Sequence, residues 1–152
     1  YAHFIFSSHM IEHLSRAEGI NFLNECHRIL RPGGVIRIAT PDAGRLMKMC
    51  VDDEANWDRK NYAGMKEKNT LRQYRYVNKG VEESQTPLDA FAHLVLANHK
   101  SLYDVKTLMF ELEKAGFKNV RVANPFQSES REMEDQTIVS HPTLSAVVEA
   151  EK

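Results

Sequence analysis

Apolar positions fall in two short unbroken runs near the start of the chain, with a helical pattern between them. Phe4-Ile5-Phe6 is apolar throughout, and Val35-Ile36-Arg37-Ile38-Ala39-Thr40 nearly so, ending at Pro41, which can donate no ladder hydrogen bond. Runs without alternation predict strands covered on both faces, as in a parallel sheet. Between them Ser15-Arg16-Ala17-Glu18 has the form of a capping box and predicts a helix start. Phe22, Cys26 and Ile29, with Leu23 and Leu30 beside them, recur at helical spacing and predict its core face, while Glu25 and Arg28 point outward. Pro32-Gly33-Gly34 then stops the helix and reverses the chain. Phe4 to Asp42 therefore predicts strand, loop, crossover helix, tight turn and strand, one unit of a parallel sheet. Ligands of open α/β sheets sit outside the carboxyl ends of the strands, so the loop beginning at Ser7 is where chemistry is expected.

Beyond Pro41 the pattern weakens and then recovers. Asp42 predicts the cap of a short helix carrying Leu46, Met47 and Cys50. From Asp52 to Asn98 the chain is polar and poor in strand signals, with Arg59, Lys60, Lys66, Lys68, Arg72, Arg75 and Lys79 interleaved with Tyr62, Tyr74 and Tyr76. That segment suits either a cover over an anionic substrate or a solvated helical face. Gly80 to Pro87 reads as a loop and Leu88 to Asn98 as a short apolar helix. Asp104 is a plausible N-cap for a helix with Val105, Leu108, Leu112 and Ala115 on one face, ended by Gly116 with Phe117 as its hydrophobic contact. Asn119 to Ala123 reads as a strand, an irregular acidic loop follows, and Leu144 to Ala150 reads as the last strand by its alternation.

Composition narrows the class. A chain of 152 residues, 42% hydrophobic, is of single-domain length with enough apolar content for one core. A net charge of -1 gives no global attraction to nucleic acid or to an anionic membrane. The two cysteines, Cys26 and Cys50, lack ligand-like spacing and read as buried free thiols, which fits a reducing cytoplasm. No apolar run approaches the ~20 residues of a membrane span. The opening directly on an apolar strand raises the expectation that upstream sequence is missing.

In its particular residues the chain resembles the carboxyl-terminal half of a class I S-adenosylmethionine-dependent methyltransferase, of the methyltransferase type 11-like kind. Ser8-His9-Met10-Ile11-Glu12-His13-Leu14, Phe22-Leu23, Glu25, Arg28 to Gly34, Arg37-Ile38 and Pro41-Asp42 resemble the segment around that family's fourth and fifth strands. His99-Lys100, Leu102-Tyr103-Asp104, Leu108, Leu112 and Ala115-Gly116-Phe117 resemble its later helix, most closely in methyltransferases associated with polysaccharide gene clusters. The family's glycine-rich loop after its first strand and the acidic residue ending its second are absent, and no G-x-G-x-G occurs.

The resemblance implies an α/β fold: a partial doubly wound, Rossmann-like sheet in the order 4-5-7-6 by the family's strand count, with flanking helices. It implies one truncated domain over residues 1–152 with a helical insertion at 52–98. The implied activity of the parent enzyme is methyl transfer from S-adenosylmethionine to a small-molecule or saccharide acceptor, and this chain alone would bind that cofactor weakly or not at all. Ser7 and Ser8 would border the sulfonium; ordinary turn chemistry is the alternative. His9, Glu12 and His13 would face the substrate. There His13 is the first choice of base, His9 the second and Glu12 the orienter; a purely structural role for Glu12 and His13 is the alternative.

Two rival readings come from different classes. His9-Met10-Ile11-Glu12-His13 spells H-x-x-E-H, which on a helix would place two histidines on one face as a zinc hydrolase site. The other rival is a non-catalytic half-domain whose bare Phe4-Ile5-Phe6 edge pairs in a homodimer.

Overall fold

The computed structural model describes residues 1–55, 86–96, 98–128 and 144–152. The chain divides into two compact units, one of Tyr1–Asp42 with Lys100–Lys152 and one of Ala43–His99. The basic, tyrosine-rich run of Arg59 to Lys79, the expected loop up to Gln85 and the acidic loop of 129–143 lie outside the described residues.

In the first unit, strand β1 (Ala2–Ser8) leads through a short 3-10 helix (Ile11–His13) into helix α1 (Arg16–Ile29) and strand β2 (Leu30–Pro41). The capping box is present: Ser15 Oγ accepts from the Glu18 amide at 3.4 Å and Glu18 Oε2 accepts from the Ser15 amide at 2.8 Å. The Leu23 and Cys26 side chains are buried, and Glu25 and Arg28 pair on the exposed face. The core face is rotated slightly from the expected one, because Ile29 is exposed while Gly19 lies inside against Tyr103. Strand β2 starts earlier than the Pro-Gly-Gly turn suggested. Its pairing with β1 shifts between Ala2↔Leu30 and Phe4↔Val35, and Gly33 takes a φ of 72° in the intervening bulge.

Helix α4 (Val105–Lys114) follows in this unit, then strands β3 (Lys118–Val122) and β4 (Ser145–Glu151). Asp104 caps that helix through the Thr107 amide at 2.7 Å, and Gly116 ends it with a φ of 98°. The sheet order is β1-β2-β4-β3, with β1 parallel to β2 and β4 antiparallel to both its neighbours. The last strand of the chain thus inserts between β2 and β3. Leu23, Leu30, Ile36, Ile38, Leu108, Leu112, Phe117 and Val148 form the main core.

Burial departs from the sequence pattern at two strands. Phe4, Ile5 and Phe6 are only half-buried, because β1 is an outer strand with β2 on one side and no other strand paired to it among the described residues. Conversely, β4 alternates in sequence yet is buried from Ala146 to Ala150 on both faces, since it is a central strand. Its Glu149 is buried opposite Arg37 of β2.

The second unit contains helices α2 (Ala43–Ala55) and α3 (Pro87–Val95), which pack together. In α2, Leu46, Met49 and Cys50 are buried while Met47 is exposed. Thr86 caps α3 through the Asp89 amide at 3.1 Å, so Pro87 opens the helix rather than closing the loop before it. Both thiols are free and buried; burial pushes Cys26 up to about 11, with Glu25 adding to the shift, and raises Cys50 as well. No helix among the described residues is long and apolar enough to cross a membrane.

Candidate functional site

One group of polar side chains of the first unit gathers where β1 and β2 end and β4 begins. Ser7 and Ser8 of β1 lie beside Ile38 and Ala39 of β2, and Thr40 and Pro41 of β2 lie beside Ala146 and Ser145 of β4. Because β4 is antiparallel, its first residue arrives at the carboxyl ends of the two parallel strands. Three segments distant in sequence meet there.

The chain leaves β1 through His9, whose φ of 50° is in the left-handed region that few residues other than glycine adopt. A backbone hydrogen bond from His9 N–H to Ala39 O, 2.8 Å, holds it there. The bend turns the imidazole across the strand ends. Its Nε2 lies 2.9 Å from Ser145 Oγ, and its Nδ1 lies 3.4 Å from Glu12 Oε1, long for a hydrogen bond but close enough for a charge to be felt.

Glu12 is 2% exposed and held from several sides. Thr40 Oγ1 donates to its Oε2 at 3.1 Å. Its carbonyl accepts from the amides of Lys100 and Ser101 at 2.9 and 3.1 Å, while Ser101 Oγ donates to Leu14 O at 2.8 Å. Burial alone would raise the Glu12 carboxyl, but the His9 imidazole, the backbone and Thr40 outweigh it, and the group is held below the usual carboxylate range. Glu12 is therefore an ionised, anchored carboxylate beside His9.

Ser7 is buried and Ser8 partly so; each has a hydroxyl oxygen shielded from solvent and without a hydrogen-bond partner among the described residues. Buried hydroxyls are normally paired, and successive strand side chains face opposite sides, so the two orphans lie on the two faces of the strand tip. His13 is exposed on the 3-10 helix while Glu12 beside it is buried, and a His13 ring nitrogen lies within 4.8 Å of a Glu12 carboxylate oxygen. The structure brings the side chains of His9, His13 and Glu12 near one another and adds Thr40 and Ser145, while Ser7 and Ser8 precede them on β1. Ser145 lies 136 positions from His9, and no local signal in the sequence links them.

The helical H-x-x-E-H reading fails on this geometry. His9 lies outside any helix, at a left-handed bend after the strand, and only Ile11–His13 are helical. The two histidines therefore do not share a helical face; Glu12 Oε2 accepts from Thr40, while His9 Nδ1 lies 3.4 Å from Oε1 and a His13 ring nitrogen lies within 4.8 Å of a Glu12 oxygen.

Residues 1–38 match a family model described as a methyltransferase domain. The whole chain also superposes on the crystal structure of a SAM dependent methyltransferase from Archaeoglobus fulgidus, with 17% identity, a TM-score of 0.53, and coverage of 100% of this chain and 60% of that one. No curated protein matches. At this identity the structural likeness establishes the fold: a mixed sheet with flanking helices of the Rossmann-like methyltransferase kind. The resemblance of the sequence to class I S-adenosylmethionine-dependent methyltransferases is supported by both the matched segment and the fold.

Proposed function

We propose that this chain takes part in S-adenosylmethionine-dependent methyl transfer to a small-molecule or saccharide acceptor, supplying the acceptor-side loop and part of the wall beside the methyl donor. The observation that carries this reading is the pair of unpartnered hydroxyls on Ser7 and Ser8, at the carboxyl end of β1 within the matched segment. Methyl transfer is an in-line displacement, so a protein contributes chiefly by aligning donor and acceptor. When bound, the donor supplies an activated methyl group on a sulfonium centre. Ser7 and Ser8 border it, and the loop from His9 to His13 faces the acceptor.

The sequence has no glycine-rich phosphate- or methionine-cradling turn, and it spans 60% of the length of the solved methyltransferase it superposes on. Binding of S-adenosylmethionine by this chain is accordingly expected to be weak. Calorimetric titration at millimolar donor tests this: shallow heats support weak binding, tight stoichiometric binding contradicts that expectation while favouring methyl transfer, and the absence of any heat counts against methyl transfer.

The position of β1 at the sheet margin favours a second reading, a non-catalytic module that pairs through Phe4-Ile5-Phe6 in a homodimer. Sedimentation of the wild type against Ile5→Lys separates the two. A dimer lost in the variant supports pairing through this strand, and a monomer in both removes that reading.

A further inference from the structure

We propose that His9 is the proton acceptor for a methyl acceptor bearing a hydroxyl group, and that Ser145 holds that hydroxyl's place on Nε2 until the acceptor arrives. The proposal rests on the methyl-transfer reading and adds to it a base, a tautomer and an acceptor class.

The geometry sets the roles. An ionised carboxylate only accepts hydrogen bonds, so the imidazole nitrogen facing Glu12 carries the proton and the opposite nitrogen presents its lone pair. The nitrogen facing Glu12 is Nδ1, which leaves Nε2 as the acceptor, and the group 2.9 Å from Nε2 is a hydroxyl. The site therefore already accommodates an O–H donor at the basic nitrogen. The His9 side chain is 20% exposed while Glu12 is 2% exposed, so an arriving molecule meets the imidazole and not the carboxylate. His13 also has a ring nitrogen within 4.8 Å of a Glu12 oxygen but is exposed, so the choice of His9 rests on its half-shielded place against Ser145. Glu12, anchored by Thr40, and Ser145 are positioning residues.

An alcohol is a poor nucleophile until it loses its proton, so a base that already holds a hydroxyl at its acceptor nitrogen serves an alcohol acceptor. In the balanced step the acceptor oxygen gives its proton to His9 Nε2 and forms the new C–O bond to the methyl carbon. The C–S bond of the donor breaks and its electron pair stays on sulfur, which becomes a neutral thioether. The resulting imidazolium is neutralised by Glu12 until water removes the proton.

Nitrogen-15 NMR of the His9 imidazole in the complete chain tests this without any donor. The expected spectrum shows neutral His9 with Nδ1 protonated and Nε2 bare, unchanged in Ser145→Ala and shifted toward the other tautomer in Glu12→Gln. A proton on Nε2 in the wild type overturns the proposal. Should Glu12→Gln not fold, Thr40→Val loosens the same carboxylate and is expected to move the spectrum in the same direction. In a second arm, labelled S-adenosylmethionine at millimolar concentration is offered with methyl glucoside or with a primary amine. Label in the sugar, about 100-fold less in His9→Gln, supports the proposal. Label in the amine at equal rates in wild type and His9→Gln overturns it while leaving the methyl-transfer reading standing. That reading fails separately if the donor leaves the Ser7 and Ser8 signals unmoved.

Discussion

Arg37 and Glu149 face each other across β2 and β4 with their side chains almost wholly buried, the Arg37 Nη1 to Glu149 Oε1 distance being 2.6 Å. The pair is tied into a network. Arg37 Nη2 donates to Asn124 O at 2.6 Å, Ser128 Oγ donates to Glu149 Oε1 at 2.7 Å, and Arg121 Nη2 donates to Glu149 Oε2 at 3.1 Å. A charge in the middle of a sheet is tolerated only with this degree of satisfaction.

Removing Glu149 leaves Arg37 charged and dry with only the Asn124 carbonyl, whereas removing Arg37 leaves Glu149 still paired with Arg121 and Ser128. Glu149→Ala is expected to cost about 3 to 5 kcal/mol, measured by urea unfolding, and Arg37→Ala less. The paired replacement Arg37→Met with Glu149→Leu is expected to cost much less than the sum of the two. Equal costs for single and paired variants would show that the network is not coupled.

Glu12 gives the acid limb of stability a definite sign. Its carboxyl is held below the usual value in the folded protein, chiefly by His9 against the opposing effect of burial. A carboxylate so shifted contributes stability that is present above its unfolded value and is lost as pH falls through the folded value. Thermal midpoints between about pH 5 and pH 3 are therefore expected to fall more steeply for the wild type than for Glu12→Gln. Parallel curves would mean that Glu12 does not contribute to the acid loss.

At Gly19 two effects compete. Alanine there would gain about 1 kcal/mol of helix propensity, but its Cβ would lie 2.6 Å from the Tyr103 hydroxyl, on a ring that is 2% exposed. Overpacking of a core ring costs about 1 to 3 kcal/mol. Gly19→Ala is expected to be net destabilising by denaturant unfolding, with Tyr103→Phe in the same background restoring part of the loss.

The capping box offers a local check. Ser15→Ala removes the acceptor for the Glu18 amide, and a loss of about 1 kcal/mol is expected by the same assay.

What the sequence disclosed was mostly what lies close along the chain. Ser15 and Glu18 three residues apart, Asp104 with its helix, and Gly116 with Phe117 all announce themselves by local chemistry, and all stand in the structure. The strand-loop-helix-strand unit was legible for the same reason. Relationships across the sheet were not. Arg37 and Glu149 are separated by 112 positions and His9 and Ser145 by 136, and neither Glu149 in an alternating strand nor Ser145 at its start differs locally from a solvated residue. Phe4-Ile5-Phe6 misled in the opposite direction, because apolarity reports what a strand could bury and not what lies beside it. His9 and His13 looked like a helical pair only because spacing in sequence says nothing about a left-handed bend between strand and helix.

The account depends most on the tip of β1 meeting the methyl donor. Amide NMR of the complete chain during addition of S-adenosylmethionine to millimolar concentration tests it directly. The expected result is a progressive, weak shift confined to Ser7, Ser8, His9 and their β2 neighbours Ile38 and Ala39. Shifts elsewhere with these five unmoved would contradict it.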